Sequence, residues 1–374
     1  MPKSLHALIL GVILCKFCQV ISAFYWQVNK VKSNTMIKNM DEFARLIGIS
    51  RPTVSKYFNN PESVRSSTRQ KIETALKEYD YRPNIYAINQ NRRLTKNIGI
   101  VVPYLADPFF AEIARVLERR CIDAGYTPSL FSSHGETSTE NAILDTLRSV
   151  RPAGVLLAPL GRLSDRKYVE DFCNDVPTIL FDSNIDGIGA AFVGSDNFSF
   201  VSQTVEYLSR TGNPPCFFEM RDPANPNANK RRHAYIEMMK RLNFEPQIVK
   251  IDGTGWGFEE IGRQGALKVL REDLLPTDAV LCSNDRLAIG FLSACHELGI
   301  KVGRDEGCML RVASHDDHPY SRFTCPSLTT AAHDYEAVSG HAVETLFRLI
   351  ESGGTLESRE ETLFAARLIM RASA

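Results

Sequence analysis

Residues 40–84 read MDEFARLIGISRPTVSKYFNNPESVRSSTRQKIETALKEYDYRPN. Met40, Phe43, Ala44 and Ile47 recur at helical spacing and predict a first amphipathic helix. Gly48 suits the left-handed conformation that ends a helix sharply. Ser50 is expected to cap a second helix, its hydroxyl accepting from an orphan amide. Pro52 falls in that helix's first turn, where no intrahelical donor is required. Val54 and Phe58 face the first helix, which leaves Arg51, Thr53, Ser55, Lys56 and Asn59 mostly outward. A third helix is expected from Ser66–Ser67, with Ile72, Ala75 and Leu76 turned inward. Three-helix bundles with solvated basic faces are common, but the spacing of Ala44, Gly48, Ile49 and Val54 is that of a helix-turn-helix. In that motif the second helix enters the major groove by its N-terminal end. Arg51 is then the natural base reader, since its planar fork matches O6 and N7 of guanine, and Lys56 is a second candidate. Thr53, Ser55 and Asn59 suit phosphate contacts, which set register without reading sequence.

The charge distribution agrees with a polyanionic partner at this end only. The 374-residue chain has formal net charge zero, but residues 36–96 hold 12 Lys/Arg against 6 Asp/Glu. Residues 97–374 hold 28 bases against 38 acids. A basic front on an acidic body points the front toward nucleic acid. Nine cysteines are scattered without metal-ligand spacing, which fits reduced thiols better than a disulfide framework. Residues 5–26 are largely apolar and read in isolation as a signal peptide or marginal membrane anchor. Export would carry a DNA-binding module away from DNA, so Met36 or Met40 is expected to be the true start, with residues 1–35 an extension and an anchor as the competing reading.

From Asn97 the pattern changes to short β-branched runs alternating with amphipathic helices. NIGIVVP (97–103), AGVLLAP (153–159), PTILFD (177–182), PCFFEM (215–220) and AVLCSND (279–285) read as buried parallel strands. Helices are expected between them, at Phe110–Gly125 and Thr139–Val150. The fold class is therefore α/β: an all-α headpiece followed by two doubly wound parallel sheets, because the strands are too many for one small sheet. Ligands are expected in the cleft between two lobes, at the carboxyl ends of the strands. Asp107 with Phe109 and Phe110 follows the first strand; Asp182, Asn284 and Asp316 end or follow others. Carboxylates and amides that hold hydroxyl pairs, with an aromatic ring under an apolar face, suit a sugar. Trp256, in the Gly-rich loop GTGWG, is a candidate for that ring, with packing as the alternative. Asp196 and Asn197 are read as caps of the following helix, and Asp317 as a turn residue.

The headpiece run ISRPTVSKYFN (49–59) and YRPN (81–84) resemble the lactose-repressor (LacI) family of bacterial regulators, which includes purine-repressor-like members. The resemblance covers the chain beyond about residue 35. It implies a headpiece at 36–80, a hinge helix and linker at 81–96, and an effector-binding, dimerising domain at 97–374 with chain crossings near 195, 329 and 355. The second part resembles periplasmic sugar-binding proteins. The resemblance also implies DNA contacts at Pro52, Thr68, Tyr81, Asn84, Ala87 and Gln90, with the hinge inserted in the minor groove. Effector contacts are implied at Asp182, Arg231, Asn284, Asp316 and His333. The sequence departs from the family where a wedge leucine becomes Gln90, where Ser183 and Asn184 replace an arginine, in Ser314-His315-Asp316-Asp317, and at Ala234. A polar linker remains the alternative reading of 84–96.

These readings converge on a DNA-binding regulator, expected to be a repressor. Its expected partners are a pseudo-palindromic operator in double-stranded DNA, a sugar-like effector and a second copy of itself, in the cytoplasm. A solute-binding protein would leave the headpiece without a purpose. No nucleophile elbow, Walker loop, GxGxxG or HExxH is present, so an enzyme is not expected, nor a cofactor or metal.

Overall fold

The computed structural model describes residues 37, 39–79, 81 and 95–374. The chain divides into two compact units, residues 1–93 and 94–374. The apolar stretch, the hinge helix with Asn84, Ala87 and Gln90, and Arg92–Arg93 lie outside the described residues.

In the first unit α1 (Met40–Ile47), α2 (Arg51–Asn59) and α3 (Ser66–Tyr79) surround a small core of Phe43, Ala44, Ile47, Val54, Ile72 and Ala75. Asn39 caps α1 by accepting from the Glu42 amide at 2.9 Å. Gly48 closes it at φ 63°, where a side chain would be strained. Ser50 stands at the N-cap of α2, but its hydroxyl engages Thr53 Oγ1 at 2.8 Å instead of an amide. The sequence-based cap is thus right in position and wrong in partner, because a second hydroxyl lies within reach.

The second unit holds two six-stranded sheets. The first lobe contains β1 (Asn97–Val102), α4 (Pro108–Asp123), β2 (Thr127–Ser132), α5 (Thr137–Val150), β3 (Gly154–Leu157), α6 (Arg166–Asp175), β4 (Thr178–Phe181) and β5 (Ala191–Ser195). The second contains α7 (Asn197–Thr211), β6 (Cys216–Met220), α8 (Ala228–Arg241), β7 (Ile248–Ile251), α9 (Phe258–Arg271), β8 (Ala279–Cys282), α10 (Asp285–Glu297), β9 (Arg311–Asp316) and β10 (Thr329–Ala332). Helix α11 (Tyr335–Glu351) returns to pack on β3, β4 and β5. Strand β11 (Glu360–Phe364) completes the first sheet and β12 (Arg367–Ile369) the second.

The strand orders are β11-β5-β4-β3-β1-β2 and β12-β10-β9-β8-β6-β7, all parallel except β12 against β10. Central strands buried on both faces explain why the five apolar runs were legible. Strands β1, β3, β4, β6 and β8 fall within them, whereas half-exposed β2, β7 and β11 carry no such run. The chain passes between lobes after Ser195, between Ala332 and Tyr335, and between Phe364 and Arg367. The last two lie beyond 329 and 355, because Thr329–Ala332 is itself a strand of the second sheet and 360–364 still belongs to the first. Among the described residues no helix is long and apolar enough to cross a membrane.

One close approach shapes the site. A Cβ on Gly290 would lie 2.0 Å from the Glu259 carbonyl oxygen, and one on Gly262 2.4 Å from that of Leu287. Helices α9 and α10 therefore meet backbone to backbone, which brings Glu259 and Arg286, near their N-termini, side by side.

Candidate functional site: an interlobe cleft and a helical headpiece

The cleft lies between the lobes where the sheets present their carboxyl ends. Asp107, Phe109, Phe110, Asp182, Arg231, Asn284 and Asp316 are brought together there. Asp107 caps α4, with Oδ1 accepting from the Phe109 amide at 3.0 Å, while Oδ2 accepts from Arg286 Nη1 of the other lobe at 3.0 Å. Asp182 follows β4 in a left-handed conformation, φ 59°, and Oδ1 accepts from Asn227 Nδ2 of the other lobe at 3.0 Å. Burial pushes its carboxyl up to about 7, against the pull of Arg231 and Lys230.

Arg231 is buried on α8 and donates from Nη2 to Asp316 Oδ1 at 2.6 Å, from Nη1 to the Ser283 carbonyl at 2.8 Å and from Nε to Asn197 Oδ1 at 3.3 Å. Burial alone would raise Asp316, but Arg231 and a hydrogen bond from His333 outweigh it and hold that carboxyl well below the usual range. His333 therefore donates from Nε2 to Asp316 Oδ1 at 3.1 Å, which leaves Nδ1 to accept the Ser195 hydroxyl at 2.7 Å. Burial lowers the His333 pKa, consistent with this neutral tautomer. Ser195 and His333 flank the first two lobe crossings, so His333 sits at the hinge side, against Phe109 and Phe200, behind the cleft wall.

Trp256 stands elsewhere. Its ring stacks on Tyr104 of the opposite lobe, centroids 5.1 Å apart and planes 13° from parallel, with Phe110 and Phe258 around it. It packs between the lobes and does not line the cleft, which is the packing alternative. Asn284 lines the cleft and also caps α10 through the Leu287 amide. Asp196 caps α7, and Asp317 accepts from Arg371 at 2.6 Å.

Five cleft residues escaped the sequence reading: Arg286, Asn225, Asn227, His318 and Tyr335. Arg286 grips Glu259 with both ends of its fork at 2.7 Å while holding Asp107. The NDR string following AVLCS was a usable signal for it, since Asn284 was already in the site. His318 and Asn227 lie on turns whose direction no local pattern gives.

In the headpiece Arg51 is exposed and 3.1 Å from Asp41, with Pro52 and Lys56 also exposed and Thr53, Ser55 and Thr68 partly so. An exposed pair of that kind contributes at most about 1 kcal/mol, so Arg51 is readily released to another acceptor. Tyr81 is buried instead, stacked on Phe43 at 4.5 Å. Its ring extends the small headpiece core.

Comparison with known proteins matches residues 39–84 to the model of bacterial regulatory proteins of the lacI family, and residues 212–374 to that of a periplasmic binding protein-like domain. The chain is thus similar to lacI-family regulators in both parts. It is 28% identical over 315 residues to the HTH-type transcriptional repressor PurR of Histophilus somni (strain 129Pt), covering 84% of this chain and 92% of the relative. It is 27% identical to the ribose operon repressor of Escherichia coli (strain K12), covering 83% and 92%. The lac repressor dimer bound to operator and the anti-inducer ONPF has the same fold, with TM-score 0.76 at 23% identity, covering 90% of this chain and 98% of that one. A lacI-family regulator of Lactobacillus casei with bound glucose matches at TM-score 0.62 and 20% identity, covering 74% and 99%. The first two of these relatives are named as repressors.

Proposed function

We propose that this chain is a lacI-family DNA-binding repressor controlled by a sugar-like effector held between its lobes. The observation that carries the reading is the joining, in one chain, of a helix-turn-helix headpiece to a cleft where Asp182, Asp316, Arg231 and Asn284 converge beside Phe109. Residues 36–80 bind the operator, 81–96 form the hinge, and 97–374 bind effector and a second copy. Arg51 reads a base, while Pro52, Thr53, Ser55, Lys56, Asn59 and Thr68 approach the duplex around it. Asn84, Ala87 and Gln90 carry the hinge contacts, and Tyr81 supports them from the headpiece core.

The protein acts in the cytoplasm, where its DNA is. As a homodimer it presents two headpieces to a pseudo-palindromic site whose half-site spacing is fixed by the duplex. Effector binding changes the relation of the lobes and so the spacing of the headpieces. It does so only by the difference in its affinity for the two arrangements. The cleft retains a cavity of about 20 Å³, room for about one water molecule, so a sugar must part the lobes or displace their bridges.

Fluorescence anisotropy on a labelled random-sequence duplex tests the polyanion reading. Affinity is expected to fall steeply between 50 and 200 mM salt. Salt-insensitive binding, or none by folded protein at low salt, contradicts the proposal.

A further inference from the structure

The charges lining the cleft are already matched. Among the described residues its arginines are Arg231 and Arg286. Arg231 is closed on Asp316, and Arg286 on both Asp107 and Glu259. Asp182 adds a carboxyl without an arginine of its own, so three lining carboxyls stand against two guanidinium groups, and Glu259 pairs with Arg286 from behind. Lys230, which acts electrostatically on Asp182, stands over the Phe192 ring at 5.6 Å and does not line the space.

What the cleft leaves unmet is polar and uncharged. Among the described residues, Asn227 Oδ1 and His318 Nε2 are buried without a hydrogen-bond partner. Both residues are only 4% exposed and both line the cleft. Asn227 spends Nδ2 on Asp182, so its open atom is an acceptor. His318 Nδ1 accepts the Tyr320 amide at 3.1 Å, so a neutral ring carries its proton on Nε2 and the open atom is a donor. Burial lowers the His318 pKa and keeps that ring neutral near pH 7. A buried acceptor and a buried donor are costly when unpaired, and a hydroxyl group satisfies either one.

Resting on the effector reading above, we propose that this cleft selects an uncharged polyhydroxyl compound, with His318 and Asn227 as specificity-determining residues, and rejects the corresponding phosphate esters and sugar acids. A phosphate or carboxylate entering here finds each arginine already neutralised. To gain a guanidinium it must break the Asp107–Arg286–Glu259 arrangement or the Arg231–Asp316 pair, and either leaves a largely buried carboxylate without its partner. Arg286 thus acts as a filter through its partners: it holds two carboxylates in place and offers little net positive charge.

The test is isothermal titration of the full-length protein with two matched sets. One contains D-ribose, D-glucose, D-galactose and myo-inositol; the other contains ribose 5-phosphate, glucose 6-phosphate, galactose 6-phosphate and glucuronate. The expected result is binding by at least one neutral compound, with its charged counterpart at least about tenfold weaker. Charged members binding as tightly as the neutral ones, or more tightly, overturn the inference. Binding by neither set overturns the carbohydrate reading of the cleft, and this inference falls with it. Glu259→Gln releases one carboxylate from Arg286 and is expected to narrow the gap between a bound neutral compound and its phosphate. An unchanged gap in that variant removes arginine pairing as the cause and counts against the inference.

Discussion

Asp107 Oδ2 accepts a 3.0 Å hydrogen bond from Arg286 Nη1, and the two residues belong to opposite lobes. Asn227 reaches Asp182 across the same gap, and Trp256 stacks on Tyr104 beside it. The carboxylates that sequence reasoning assigned to sugar hydroxyls therefore also bridge the lobes. An effector that takes these acceptors replaces one set of interlobe contacts with another. That gives it the differential affinity on which any switch depends.

Arg286→Gln removes the guanidinium that pairs Asp107 and Glu259. Loss of one partner from a largely buried pair costs about 3 kcal/mol, less here to the extent that Glu259 is solvated. Urea denaturation is expected to show that loss. In a Trp26→Phe background, acrylamide should also quench Trp256 more readily, because the lobes part. Unchanged stability and quenching would show that the bridge does not hold them.

Gly290→Ala forces a methyl group against the Glu259 carbonyl oxygen, a backbone atom that cannot swing aside. The α9–α10 contact must widen, at about 1–3 kcal/mol. Arg286 then loses its registered grip on Glu259. A lowered Tm is the expected readout, and a Tm equal to that of the parent protein would contradict the close approach.

Stability is expected to depend on pH through two buried carboxyls. Burial pushes Asp182 and Asp285 each up to about 7, above their unfolded values. Between roughly pH 4 and 7 the native state keeps protons that the unfolded state has lost, so stability falls as pH rises, by up to about 1.4 kcal/mol per unit for each group. The loss levels off above about pH 7. Asp182→Asn should flatten its share of this slope, as read from urea midpoints between pH 5 and 8. An equal slope in the variant would mean that Asp182 titrates near its ordinary value.

Arg231→Lys keeps a positive charge but loses the fork that reaches Asn197, Ser283 and Asp316 together. Any sugar that releases or recruits DNA for the parent protein should have no such effect on the variant, while binding to DNA without sugar persists. Loss of DNA binding with the fold intact would contradict the placement of Arg231 in the effector site.

The part of this arrangement legible in the sequence is what local chemistry dictates. The runs NIGIVVP and AVLCSND announce strands buried on both faces, and Gly48 marks the end of a helix. Asp107, Asp182, Asn284 and Asp316 could be placed at strand ends because the doubly wound fold puts ligands there. What could not be read depends on partners distant in sequence. Trp256 has no local feature that reveals Tyr104, 5.1 Å away on the other lobe. His318 becomes a cleft residue only because Asp316 and Asp317 take positive φ and turn the chain back. Tyr81 looked like a surface contact because its burial requires Phe43 from the start of the headpiece.

The most direct test is selection of bound sequences from a random DNA pool by the full-length protein, with and without the neutral sugar set. The account predicts enrichment of a pseudo-palindrome whose half-sites are spaced for two headpieces, and a change in its recovery with at least one sugar. Folded protein that enriches no sequence under either condition would contradict the assignment of a DNA-binding repressor.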